Sequence, residues 1–165
     1  MNKRQIYIGI LSILLFGNCL SVLPREQRRT EAVFTTQLTK KEIYDRALVY
    51  LAKSLVNANL SVQIRDPENG RIVSNGKLKY QSVFQCLYSC DLEFNIDLTA
   101  KDGKYRIILD DILMYGNNQY GQRTGIIKPY SEKELASIKE EFLIPLQKEL
   151  VDSIEGRFMA PQEDF

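Results

Sequence analysis

From Ser82 to Leu98 the chain alternates almost strictly between apolar and polar positions. Phe84, Cys86, Tyr88, Cys90, Leu92, Phe94, Ile96 and Leu98 share one parity, and Gln85, Ser89, Asp91, Glu93, Asn95 and Asp97 take the other. Period two is the signature of a strand with one face in a core and the other in water. A run this long exceeds an ordinary strand, which predicts a bend or bulge near residues 86–90. After it, Lys101-Asp102-Gly103-Lys104 carries the Asp-Gly pair of a type I′ hairpin, and Tyr105 to Tyr115 reads as the return strand. Upstream, Val62 and Ile64 alternate with polar neighbours, Asp66-Pro67-Glu68-Asn69-Gly70 reads as a turn, and Arg71 to Tyr80 as the hairpin partner with a bulge at Gly76. Ala32 to Leu38 is a weaker strand signal, suited to a sheet edge.

Two segments change to a helical period. Thr39-Lys40-Lys41-Glu42 fits a capping box, and Ile43, Ala47, Leu51 and Leu55 follow at four-residue spacing, with Tyr44 and Leu48 widening the stripe to about Asn57. Ser131-Glu132-Lys133-Glu134 repeats the box. Behind it Leu135, Ile138, Phe142, Leu146, Leu150 and Ile154 form the apolar stripe of a long helix. Pro145 lies inside that stripe and predicts a kink, and Gly156 an end. Between the last strand and this helix, Gly116 to Pro129 reads as one long polar loop.

The expected order is β-α-β-β-β-β-α. Tight turns between consecutive strands make the sheet antiparallel, and its apolar face needs the two helical stripes as a cover. The fold class is therefore α+β, an antiparallel sheet of four to five strands covered on one face by two helices. Its core is expected to include Ile43, Ala47, Leu51, Leu55, Phe94, Ile96, Ile107, Leu109, Ile138, Phe142 and Leu146. The single domain spans residues 32–156, with 157–165 as a C-terminal tail.

Composition narrows the chemistry. The 165 residues carry 22 Lys+Arg, 21 Asp+Glu and no His. A formal charge of +1 argues against nucleic acid as a partner. Without His, the Ser-His-Asp and Cys-His mechanisms and His-ligated metals are absent. No metal set and no cofactor fingerprint is expected.

The N-terminus carries Lys3 and Arg4, then an apolar run from Ile6 to Phe16. That is the pattern of a secretory signal, too short for a spanning helix. The run ends in Leu15-Phe16-Gly17-Asn18-Cys19, which resembles the lipobox of bacterial lipoproteins. Asn18 stands where Gly or Ala is usual, a looseness similar to spirochaete-type lipoproteins. The resemblance implies a signal peptide over 1–18, lipidation of Cys19, and a lipidated Cys and tether over 19–31. It places the protein in the bacterial cell envelope, lipid-anchored at the outer membrane. Loss of Lys3 and Arg4 takes the formal charge from +1 to −1. The other two cysteines, Cys86 and Cys90, are an even pair in an oxidising compartment. On a straight strand they stand about 13 Å apart, whereas a disulfide needs Cα atoms within about 7 Å. A disulfide requires a bend at Gln85–Ser89; buried thiols, or a redox or metal role, are the alternatives.

Residues 33 to 115 also resemble a bacterial exported domain of unknown function with a TATA-binding-protein-like fold. The matching features are Thr39-Lys40-Lys41-Glu42-Ile43-Tyr44, Asp66-Pro67-Glu68-Asn69-Gly70-Arg71-Ile72 and Lys101-Asp102-Gly103-Lys104-Tyr105-Arg106. The resemblance implies a fold and an envelope setting and transfers no catalytic residue.

Asp97, Asp102, Asp110 and Asp111 are the candidate carboxylates, but alternation sends Asp110 and Asp111 to opposite faces, which argues against a dyad. The glycine-rich loop offers Tyr120 and Arg123 as anchors for partner contact, since interface hot spots favour these types. The expected function is a membrane-anchored envelope lipoprotein acting as a non-catalytic binding or assembly module, with an envelope protein or a host surface as partner. The alternative is a small envelope hydrolase using carboxylates.

Overall fold

The computed structural model describes residues 22–58, 61–80 and 89–157, with side chains other than those at 54–58, 61 and 80. The expected signal segment, Cys19, Cys86 and the Leu55 side chain lie outside the described residues. The elements are β1 (Thr30–Thr35), α1 (Lys40–Ala58), β2 (Ser61–Asp66), β3 (Arg71–Tyr80), β4 (Ser89–Lys101), β5 (Lys104–Asn117), β6 (Arg123–Lys128), α2 (Glu132–Ile138), a π-helical turn (Lys139–Leu143) and α3 (Ile144–Ile154). All strand pairs are antiparallel. The sheet runs β1-β5-β4-β3-β2, and β6 also pairs with β5. The class is α+β, a sheet with one face under the helices.

Alternation in β4 held from Cys90 onward. Its even positions, from Cys90 to Ala100, are buried beneath the helices. Ile43, Tyr44, Ala47, Tyr50 and Leu51 of α1 meet them, as do Leu135, Ile138, Leu143, Leu150 and Ile154 of the C-terminal helical segment. The first capping box forms as expected: Thr39 N donates to Glu42 Oε2 at 2.8 Å, and Glu42 N to Thr39 Oγ1 at 3.3 Å. Gly70, at φ 65°, closes the β2–β3 turn so tightly that a Cβ there would stand 2.6 Å from the Ala100 carbonyl oxygen.

Four expectations are corrected. The polar loop from Gly116 is a hairpin: β5 continues to Asn117, a turn spans Asn118–Gln122, and β6 returns. Its alternation is masked because Gly125, Thr124 and Lys128 share the strand with only two apolar residues. The β4–β5 turn is not type I′, since Gly103 takes positive φ and Asp102 does not. Instead the Asp102 carboxylate accepts a hydrogen bond from Lys40 N at 2.7 Å and caps α1. Phe142 and Leu146 are only partly buried, while Leu143 is 1% exposed. The reason is Pro145, which has no N–H and crowds the carbonyl four residues back. The chain answers with one wider turn, in which Ile144 N donates to Lys139 O, and this rotates the buried stripe by one position. Finally, the described part of the segment expected to be a tether is docked. Leu23 packs against the core, its N–H donates to Pro129 O at 3.0 Å, and Arg28 is buried.

Candidate functional site

The face of the sheet away from the helices is polar, and its residues are set by strand register. In β4 the outward positions are Asp91, Glu93, Asn95 and Asp97. Their partners in β3 are Lys79, Lys77, Asn75 and Val73, and in β5 they are Tyr115, Leu113, Asp110 and Ile108. Cross-strand and neighbouring pairs place opposite charges together. Lys77 Nζ lies 2.7 Å from Asp91 and 3.7 Å from Glu93. Arg71 grips Asp97 through two bonds of 3.1 and 2.7 Å, and the pairing raises the Arg71 pKa above the usual guanidinium value. Arg123 pairs with Glu93 and lays its guanidinium 3.8 Å from the centroid of the Tyr115 ring, a cation–π contact. In the middle of this face a concavity of about 340 Å³ is bordered by Asn75, Lys77, Glu93, Asn95, Asp111 and Tyr115.

The concavity owes its shape to a defect in β5. Opposite Phe94 the register shifts by one residue, so β5 carries an extra residue there. Asp111 takes φ 51°, the left-handed conformation that a bulge of this kind normally gives to glycine. Core parity switches across the bulge: Tyr105, Ile107 and Leu109 are buried before it, and Ile112 and Met114 after it. Asp110 and Asp111 both fall between core positions, so the expectation that they point to opposite faces is corrected. They still form no dyad. Arg25 lies 3.7 Å from Asp110, and Arg28 Nη1 donates to Asp111 Oδ1 at 2.8 Å.

The bulge also divides the edge of β5. β1 pairs with Lys104–Leu109, β6 pairs with Met114–Asn117, and a notch remains between them. Arg28 fills the notch. Its carbonyl oxygen accepts from Ile112 N at 3.4 Å, its Nη1 donates to Ile112 O at 3.3 Å, and its Nε donates back to Leu23 O at 2.8 Å. Nothing local in the sequence pointed to Arg28, because its partner Asp111 stands 83 residues away.

Of the expected contact residues, Tyr120 sits in the tip of the β5–β6 hairpin at 77% exposure. The tip is ordered by Asn118, whose Oδ1 accepts from Tyr120 N and Gln122 N, both at 2.9 Å. Arg123 begins β6 and is engaged by Glu93 and Tyr115 rather than free. Tyr105 is core, stacked on Phe34 at 5.2 Å, with its hydroxyl donating to Glu155 at 3.1 Å. Burial and this carboxylate together push the Tyr105 phenol far above its usual pKa. Asp97 is on the open face, and Asp102 serves the α1 cap. Cys90 is buried and disulfide-bonded, and its partner lies outside the described residues. Among the described residues, no group of three or more Asp, Glu or Cys converges as a metal site.

A helix-backed antiparallel sheet with a polar open face, entered through an edge strand and α1, defines a two-layer α+β domain of TBP-like fold. The chain belongs to the DUF4468 family, a domain of unknown function with a TBP-like fold, whose model matches residues 30–115. It is similar to a crystallised TBP-like protein from Parabacteroides distasonis at 14% identity and TM-score 0.61, covering 77% of this chain and 92% of that one. It is also similar to a crystallised DUF4468 family protein from Bacteroides ovatus at 15% identity and TM-score 0.56, covering 87% and 94%. At these identities the likeness is one of fold. No curated protein matches the chain.

Proposed function

We propose that this protein is a bacterial envelope lipoprotein, anchored through an acylated Cys19, whose folded domain is a non-catalytic binding module. One observation carries the binding half. Tyr120 is held out into solvent on an ordered hairpin tip, and the hairpin is fastened to the open face through Arg123, Glu93 and Tyr115. A rigidly supported, exposed tyrosine suits an interface anchor. The non-catalytic half is supported by the carboxylates of that face. Asp91, Glu93, Asp97, Asp110 and Asp111 each stand within 4.0 Å of a Lys or Arg cation. The register thus sets these carboxylates beside cations of the same face rather than converging them on one another.

The anchoring half rests on the sequence from Lys3 to Cys19. No helix among the described residues is long and apolar enough to cross a membrane. If Cys19 carries lipid, Cys86 is the remaining cysteine of the chain able to bridge Cys90.

The test uses the full chain in its native membrane. A palmitate analogue should label wild type and not Cys19→Ala, and chemical crosslinking should capture a partner less well with Tyr120→Ala. Equal labelling of both forms contradicts the anchor. Turnover of a substrate by purified protein, abolished by Asp110→Asn or Asp111→Asn, contradicts the non-catalytic reading.

A further inference from the structure

Docking of Leu23–Arg29 has a consequence for where the domain stands relative to a membrane. We propose that the notch side of the sheet edge, where Leu23 meets Pro129, lies directly against the lipid bilayer, instead of being lifted from it on a flexible stalk. The inference rests on the acylated Cys19 of the proposed function.

Covalent reach sets the distance. A free tether from Cys19 to the start of β1 at Thr30 contains eleven Cα–Cα steps, about 36–40 Å at the roughly 3.3–3.6 Å per residue of a fully extended chain. The docked segment consumes most of it. Leu23 is tied by its N–H to Pro129 O, and Arg28 is bonded at four points to Leu23, Asp111 and Ile112. Between Cys19 and Leu23 only four steps remain, about 13–14 Å at full extension. An acyl-bearing residue sits at the bilayer surface, so Leu23 and Pro129, at the notch side of the edge, are held within that distance.

The residues around the exit point suit headgroups. Arg25 and Arg29 flank the docked turn, Lys128 precedes Pro129, and Lys139 Nζ donates to Arg29 O at 2.9 Å from the helical layer. Facing them are Glu26, Asp110 beside Arg25, and Glu31 beside Arg29. The excess of positive charge is small, and covalent reach is the stronger constraint. The opposite edge, β2, is four strand positions away from β6 and β1 in the sheet order. At about 4.8 Å per strand that adds roughly 19 Å across the sheet.

The chain contains no Trp, so single-Trp variants report position without background. Ile126→Trp places the probe on β6 beside the notch, and Ile64→Trp places it on the far edge; both sites are solvent-exposed, at 36% and 44%. Full-length acylated protein is reconstituted in phosphatidylcholine–phosphatidylglycerol vesicles containing a headgroup spin-labelled lipid, and flotation and fluorescence are measured on the same sample. The expected result is flotation with loss of emission from Ile126→Trp and retained emission from Ile64→Trp. Adding Arg28→Gln, which releases the latch and restores the long stalk, should recover the Ile126→Trp emission. Protein that does not float overturns the anchoring reading. Protein that floats while Ile126→Trp is unquenched, or while Ile64→Trp is quenched as strongly, overturns the docking of the notch and leaves anchoring intact.

Discussion

Asp111 is a non-glycine residue at φ 51° in the middle of a long strand, and the described structure invests heavily in keeping it there. Its backbone makes the bulge that switches core parity, and its carboxylate receives Arg28 from the docked N-terminal segment. The left-handed conformation costs an ordinary L-residue about 1–2 kcal/mol. Asp111→Val should therefore be less stable than Asp111→Gly by about that amount, although valine is the better strand former. Thermal unfolding of the two variants decides it, and equal or reversed stabilities would show that the bulge is not built on this conformation. The neighbouring pair Phe142 and Leu143 poses a similar question. Helical periodicity favours Phe142, but Leu143 is the buried one. Leu143→Ala should cost about 2–5 kcal/mol in urea unfolding, and Phe142→Ala clearly less. The opposite ranking would mean that the π-helical turn is absent.

Elements whose signals are local were legible in the sequence. The α1 capping box, the β2–β3 turn and the β4 alternation each need only a few adjacent residues, and all three formed. What escaped depended on partners far along the chain. The role of Asp102 is set by Lys40 and the notch by Arg28, whereas β6 escaped because its six residues hold only two apolar ones. The helix after Ser131 is an intermediate case: Pro145 announced a disturbance, but whether it kinks the helix or widens one turn is decided by packing against the sheet. The capping box also makes a pH prediction. Hydrogen bonds from the Thr39 backbone N–H, and then its hydroxyl, hold the Glu42 pKa below the ordinary 4.5. A carboxylate lowered on folding stabilises the fold above its unfolded value, and that stabilisation is lost as pH falls through the folded value. Glu42→Gln should be less stable than wild type at neutral pH and approach it below about pH 4. A difference that stays constant from pH 7 to pH 3 would contradict a charged cap.

At the scale of the whole molecule, the described residues cover the apolar side of the sheet and set ion pairs along the other. The helices cover one face, ion pairs occupy the other, and the edge defect in β5 is filled by the segment that leads to the N-terminus. The fold class followed from periodicity and turn spacing. The polar concavity did not, because its border comes from three strands whose mutual register no local pattern reveals. We propose that the domain acts by presenting the β5–β6 hairpin. The most direct measurement is site-specific photocrosslinking in the native membrane, with a photoreactive residue replacing Tyr120 in one sample and Ile64 in another. The account predicts a discrete crosslinked species from position 120 and none from position 64. Crosslinks from position 64 alone, or equally from both, would contradict it.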